Sequence, residues 1–195
     1  VAWEAADRSS SSSWDFAIAS STVNAPSSGR ATAIVLPGGH ETRVERIVAT
    51  AGDLAFAVVR QAVTLTLADD IEVSRGDMLS SIEQAAQVAD QFEASLVWLD
   101  VAPLLRGRSY LMKIASKTVM ATVLPLKYKL NVDTLEHLAA NTLEVNEIGV
   151  AALELDRPVA FDPCAQNRDT GCFAFLDQLT NRTVAAGMLH FALRR

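Results

Sequence analysis

SYLMKIASKTVMATVLPLKYKLN, residues 109–131, holds two strands and the turn between them. Tyr110 to Ala115, a short and mostly apolar run closed by a turn, predicts a strand. Ala115-Ser116 is a short turn flanked by Lys113 and Lys117. Lys117 to Val132 predicts a long strand, bent at Pro125 because proline cannot donate to a ladder. A hairpin of this kind cannot stand alone in water, so the flanking sequence has to supply more strands.

Outward from the hairpin the pattern repeats. Phe92 to Leu99 alternates, with Ala94, Leu96 and Trp98 on one face, and Leu104 to Arg108 turns. Gly149 to Leu155 predicts a strand stopped by Asp156-Arg157-Pro158. Cys172 to Leu176 and Thr183 to Ala192 predict two more. Asp133 to Leu143 carries helix-forming residues and predicts one or two helical turns. In the first half, Phe16 to Val23, Ala31 to Leu36, Thr42 to Thr50 and Ala62 to Leu67 read as strands. Asn24 to Gly29, Pro37-Gly38-Gly39, Gly52-Asp53 and Ser74 to Asp77 are turn chemistry between them. Short strands at this spacing predict an all-β chain of closed antiparallel barrels, since closure removes exposed edges. The serine run Ser9–Ser13 makes residues 1–14 a linker or disordered insertion. Residues 80–91 predict a helical turn or an ordered linker, with the boundary near residue 88. The expected organisation is a linker over 1–14, a first barrel over 15–87 and a second over 88–195.

Composition bounds the function. Of 195 residues, 50% are hydrophobic, and the net charge is −6. Residues 1–89 hold six basic and eleven acidic side chains, a balance of −5, and 90–195 hold eleven and twelve, a balance of −1. Such a chain is a poor non-specific nucleic-acid binder. No apolar run approaches the roughly 18–20 residues of a membrane helix, and the charged, serine-rich start is no signal peptide. A cytoplasmic location is the expectation.

No phosphate-binding GxxxxGK[ST], no GxGxxG and no GxSxG occurs. His40, His137 and His190 lack any sequence sign of an oriented partner for base catalysis. Asp69, Asp70, Glu72 and Asp77 cluster around one turn without the spacing of a calcium loop. Cys164 and Cys172 fit no zinc signature and are expected to stay reduced thiols. No catalytic, cofactor-binding or metal-ligating residue is therefore assigned. The four lysines, Lys113, Lys117, Lys127 and Lys129, form the one candidate patch, for phosphate or for an acidic protein partner.

Several strings carry a resemblance. Besides 109–131 they are NEIG at 146–149, FDP at 161–163, NRDTG at 167–171, DQLTN at 177–181 and TVAAGM at 183–188. In the first half they are VLPGGHETRVERIVAT at 35–50 and QAVTLTLADDIEVSRGDML at 61–79. The chain resembles the last two domains of the large, GTPase-type subunit of bacterial sulfate adenylyltransferase. The resemblance implies two barrels of translation-factor type, following a GTP-binding domain. It implies support of GTP-driven synthesis of adenosine 5′-phosphosulfate from ATP and sulfate, with a small catalytic subunit as partner. GTP, ATP and magnesium belong to the intact complex, and the chain is expected to be inactive alone. Phe191 to Arg195 resembles the junction to a fused adenylylsulfate kinase domain. The chain departs from the family at Arg60 and Cys172, where glycine is usual, at Cys164, where tyrosine is usual, at Asn24–Gly29 and in the serine run. The rival readings are a nucleic-acid- or protein-binding barrel module of an elongation-factor-like protein, and a remnant without function.

Overall fold

A computed structural model describes residues 2–10, 13–17, 23–24, 32–50, 52–58 and 61–193, with side chains from 32 onward. The chain divides into two compact units, 1–87 and 88–195. Arg60 and the loop 25–29 lie outside the described residues, as do Ser11 and Ser12 of the serine run.

The first unit contains β1 (Ala2–Ser10), β2 (Ser13–Ala17), β3 (Val23–Asn24), β4 (Thr32–Leu36), β5 (His40–Ala49), β6 (Gly52–Leu54), β7 (Phe56–Ala57), β8 (Val63–Leu67) and β9 (Met78–Ser81). Its main sheet runs β4-β9-β1-β2-β8-β5-β6, and β4 also pairs with β5, so the sheet returns on itself. The alternation of β8 explains its place: Val63, Leu65 and Leu67 are buried. They meet Val35, Val44, Ile47 and Leu79 in one core. Residues 2–10 and 13–14, expected to belong to a linker, lie in strands. β1 pairs antiparallel with both β2 and β9, Glu4 opposite Ala17 and Trp3 opposite Leu79. Ladder bonds are made by backbone groups, which a serine-rich composition does not remove.

The second unit contains β10 (Gln87–Trp98), β11 (Ser109–Ile114), β12 (Lys117–Leu130), β13 (His137–Leu138), β14 (Ile148–Phe161), a single helical turn α1 (Arg168–Gly171), β15 (Cys172–Leu176) and β16 (Thr183–Ala192). The order β11-β15-β16-β10-β14-β12, with β12 also paired to β11, closes a six-stranded antiparallel barrel. Closure leaves no open edge among these six strands. Phe92, Ala94, Leu96 and Trp98 of β10 all point inward. Phe92 meets Phe161 edge-on at 4.7 Å, and Trp98 meets Tyr110 at 5.6 Å, the geometry that aromatic quadrupoles favour.

β12 bends as expected. Its register against β14 shifts between Val123 and Leu126 and again between Leu126 and Tyr128, around the exposed Pro125. A bulge of this kind turns a strand without breaking the sheet.

Three elements differ from the sequence reading. Residues 133–143 form turns and the short β13 rather than helix. Asn131 Oδ1 accepts from the Asp133 and Thr134 N–H groups at 2.9 and 3.3 Å. This side-chain turn competes with helix initiation, and Leu135 then adopts φ 59°. β14 passes straight through Asp156-Arg157-Pro158. Its last pair with β12 is Ala121 opposite Leu155, and beyond it the Met120 N–H donates to Asp156 Oδ1 at 3.0 Å. Pro158 thus falls where β14 no longer pairs with β12, a position that tolerates proline. Residues 80–91 are not helical: β9 ends at Ser81, and β10 begins at Gln87 after a turn.

Candidate functional site

The four lysines do not meet in one patch. Lys113 and Lys117 lie beside the β11–β12 turn, where Ile114 is opposite Lys117 and Lys113 opposite Thr118. Ile114 is buried and Lys113 exposed, so the two lysines take opposite faces of the hairpin. Ten residues of β12 separate Lys117 from Lys127, about 33 Å of extended strand. Lys127 and Lys129 are engaged with acids: Lys127 pairs with Glu93, and Lys129 Nζ reaches Glu147 Oε1 at 2.6 Å. The lysine spacing is visible in sequence, but acids 34 and 18 positions away are brought beside them only by strand pairing.

Sequence reasoning missed the most connected polar cluster. β10 and β16 pair with a register shift between Glu93 and Ala94: Glu93 faces Phe191, Ala94 faces Leu189, and His190 is the extra residue. The bulge aims His190 between two side chains of β10. Ser95 Oγ lies 2.9 Å from His190 Nε2, and Glu93 Oε1 lies 3.4 Å from His190 Nδ1. Burial pushes the Glu93 carboxyl up, but the hydrogen bonds from Lys127 and His190 outweigh it and hold the carboxyl below the usual glutamate range. The hydroxyl–imidazole–carboxylate order is that of a nucleophile relay. Here the hydroxyl sits in mid-strand, on β10 between β16 and β14. Its neighbouring N–H groups belong to the ladder and cannot stabilise an oxyanion. The cluster clasps three strands together.

His137 stacks on Tyr128 at 3.8 Å. His40 is exposed after the Pro37–Gly39 turn. Asp69 accepts from Thr42 Oγ1 at 2.9 Å, and Asp77 accepts from the Ser74 N–H at 2.9 Å. Among the described residues, no three of His, Cys, Asp and Glu gather as a metal would require.

The cysteines correct the expectation of two separate thiols. Cys164 and Cys172 are disulfide-bonded, their Cα atoms 5.5 Å apart, inside the range a bridge needs. The turn α1 folds the chain back between them. Asn167 caps it by accepting from the Asp169 N–H at 3.1 Å, and Asp162 takes hydrogen bonds from Thr170 Oγ1 and Asn167 Nδ2 at 2.9 and 3.2 Å. Gly171 lets the two strand ends touch: a Cβ there would lie 2.6 Å from Cys164 Cα and closer still to Asp162 O.

One end of the second barrel gathers three loops, 99–108, 131–147 and 177–182. Trp98 Nε1 donates to Ala102 O at 2.7 Å, and Thr142 Oγ1 to Leu104 O at 2.6 Å. Arg108 reaches Asp177 at 2.6 Å, and Gln178 Nε2 donates to Ser109 O at 2.7 Å. Asp177 also accepts from the Thr180 N–H and hydroxyl at 3.0 Å. These bonds, with Arg108 contributing less, hold its carboxyl below the usual aspartate range. The loops are thus fixed to one another by side-chain bonds.

Comparison with known proteins follows the same division. Residues 91–190 match the model of the GTP-eEF1A C-terminal domain-like family. The bifunctional enzyme NodQ of Rhizobium sp. (strain N33) is 49% identical over 162 residues, 83% of this chain and 25% of that protein. The bifunctional enzyme CysN/CysC of Xylella fastidiosa is 44% identical over 80% of this chain and 25% of its own length. Sulfate adenylyltransferase subunit 1 of Aeromonas salmonicida is 43% identical over 80% and 33%. The chain spans a quarter to a third of the length of these relatives. Among solved structures, sup35 complexed with GDP matches with TM-score 0.84 at 20% identity, over 99% of this chain and 47% of that one. Elongation factor SelB from Methanococcus maripaludis matches with TM-score 0.74 at 18% identity, over 98% and 42%. These two likenesses establish the translation-factor type of fold. With the family match running from within β10 to within β16, over more than half of the chain, the chain belongs to the GTP-eEF1A C-terminal domain-like family.

Proposed function

We propose that this chain supplies the β-barrel part of the GTPase subunit of a sulfate adenylyltransferase. In that role it supports GTP-driven synthesis of adenosine 5′-phosphosulfate from ATP and sulfate, in the cytoplasm. The observation that carries this reading is identity of 41–49% over 83% of the chain with NodQ proteins, and 43–44% over 80% with CysN/CysC and sulfate adenylyltransferase subunit 1. The fold alone could not carry it, because one barrel architecture hosts unrelated functions. The barrels act by holding partners: the small catalytic subunit and, in a bifunctional parent, a fused adenylylsulfate kinase domain.

The test has two arms. The isolated chain, mixed with GTP, ATP, magnesium and sulfate, is expected neither to bind GTP nor to form adenosine 5′-phosphosulfate; turnover by the chain alone overturns the division of labour. Titrated with purified small subunit of sulfate adenylyltransferase, it is expected to bind weakly. No binding by this chain, where an intact large subunit binds, overturns the docking role.

A further inference from the structure

Of the eleven large apolar side chains that the second unit exposes among the described residues, eight lie at the barrel end formed by the loops 99–108, 131–147 and 177–182. Leu179 is 89% exposed, Val101 85% and Leu135 69%; Val132, Leu105 and Leu99 are also exposed. Scattered exposed leucines need no explanation, but a cluster on one face does. These side chains are not out because their loops are loose. The bonds from Trp98 to Ala102, Thr142 to Leu104, Arg108 to Asp177 and Gln178 to Ser109 hold the loops beneath them. A preformed apolar surface loses little entropy on binding.

Charge selects the occupant. Arg108 and Lys129 at this end are committed to Asp177 and Glu147. The loops further carry Asp100, Asp133, Glu136 and Glu144 against Arg106 and Arg182. That excess of acid is the wrong sign for a nucleic-acid backbone or an anionic membrane. A second copy would bring two net-acidic ends together. A protein face that combines apolar and basic side chains fits.

We infer that this apolar, net-acidic loop end of the second barrel is the surface by which the chain docks a companion protein subunit. The inference rests on the proposed function and names the surface through which that docking occurs. The partner for the test is the purified small subunit of sulfate adenylyltransferase, titrated calorimetrically against the chain and three variants. Val101→Asp and Leu179→Asp place a charge at the surface's two most exposed apolar positions. Lys113→Glu changes an exposed residue at the opposite end of the barrel. Because all three sites are exposed, unchanged thermal melts are expected and are checked. The expected result is binding weakened about tenfold or more by each aspartate and unaltered by Lys113→Glu. Wild-type affinity in both aspartate variants overturns the surface while leaving the docking role standing. Absence of binding by the unaltered chain overturns the docking role, and the surface with it. A self-association, or an RNA binding, that Val101→Asp abolishes would also overturn the assignment, by giving the surface a different occupant.

Discussion

Gly171→Ala measures how tightly the segment 162–172 is built. The residue ends α1 and is buried. An added methyl would press on three backbone atoms, Asp162 O, Cys164 N and Cys164 Cα, all within 2.6 Å. None can rotate away as a side-chain tip would, so a whole strand end has to move. Overpacking of a fixed site costs typically about 1–3 kcal/mol. The movement also pulls Asp162 from Thr170 and Asn167, and hydrogen bonds to a charged group contribute about 1.5–3 kcal/mol each. With one of the two bonds lost, the sum is roughly 3–6 kcal/mol, a large share of a small domain's stability. At about 4–8 °C per kcal/mol for a domain near 100 residues, the melting temperature of the second unit falls by at least roughly 12 °C. Gly107→Ala is the control. That glycine has φ +75° and no atom within 4 Å of an added Cβ, so only backbone strain of about 1–2 kcal/mol opposes alanine. The assay is thermal unfolding followed by circular dichroism, on both variants under the same conditions. Should Gly171→Ala melt no lower than Gly107→Ala, the close approach of the two strand ends is not real and the reasoning fails.

Further outcomes follow from packing and charge. Gly187→Ala drives a methyl into the Phe173 ring directly across the strand pair, with Cε1 and Cε2 at 2.7 Å; it should lower stability by about 1–3 kcal/mol, and Phe173→Leu should restore part of that loss in the double variant, which denaturant titration would show. Trp98→Phe removes the indole bond to Ala102 O and should speed amide exchange over 99–105 more than elsewhere; uniform acceleration would contradict the anchoring role. Glu93, Glu147 and Asp156 all have carboxyl pKa values held below their ordinary ranges. Their contribution to stability is therefore complete above the carboxylate range and fades as pH falls through the depressed folded values. Glu93→Gln should flatten the acid limb of the stability profile and leave its neutral plateau flat; an unchanged acid limb in urea titrations from pH 7 to 3 would refute the assignment.

Local patterns were legible where one period decided them. The alternation Phe92, Ala94, Leu96, Trp98 is visible in sequence, and those four side chains are the β10 contribution to the core. Pro125 announced the bend in β12 because proline is incompatible with a regular ladder there. Features that depend on long-range pairing were not legible. Nothing near Lys127 in sequence indicates Glu93, and nothing near His190 indicates Ser95, 95 positions away. The bulge that aims His190 arises from a mismatch of two strands, which neither strand encodes alone. The cysteines mislead for a related reason: their eight-residue spacing matches no metal motif, and their meeting depends on a helical turn of only four residues. Residues 133–143 show the opposite failure, where good helix formers lose to the side-chain turn of Asn131.

The shared architecture invites comparison with factors that handle nucleic acid, and the pairing of charges argues the other way for the second unit. A protein that grips a phosphate backbone keeps cations available, because affinity comes from releasing counterions at each neutralised phosphate. Here Lys127 is held by Glu93, Lys129 by Glu147, Arg108 by Asp177 and Arg157 by Asp156. A phosphate would have to displace a carboxylate at each of these positions before gaining anything. Those pairs satisfy four cations of the second unit, whereas its loop end carries eight exposed apolar side chains and an excess of acid. Selection for a protein partner produces that distribution directly: charges on the wall satisfied within the chain, apolar groups concentrated where a second surface can cover them. The distinction has a direct signature. Association through this end should weaken only modestly with salt, whereas phosphate gripping by several cations loses about three or more orders of magnitude between 50 and 200 mM; a steep salt slope for any macromolecular ligand of this chain would return the argument to nucleic acid.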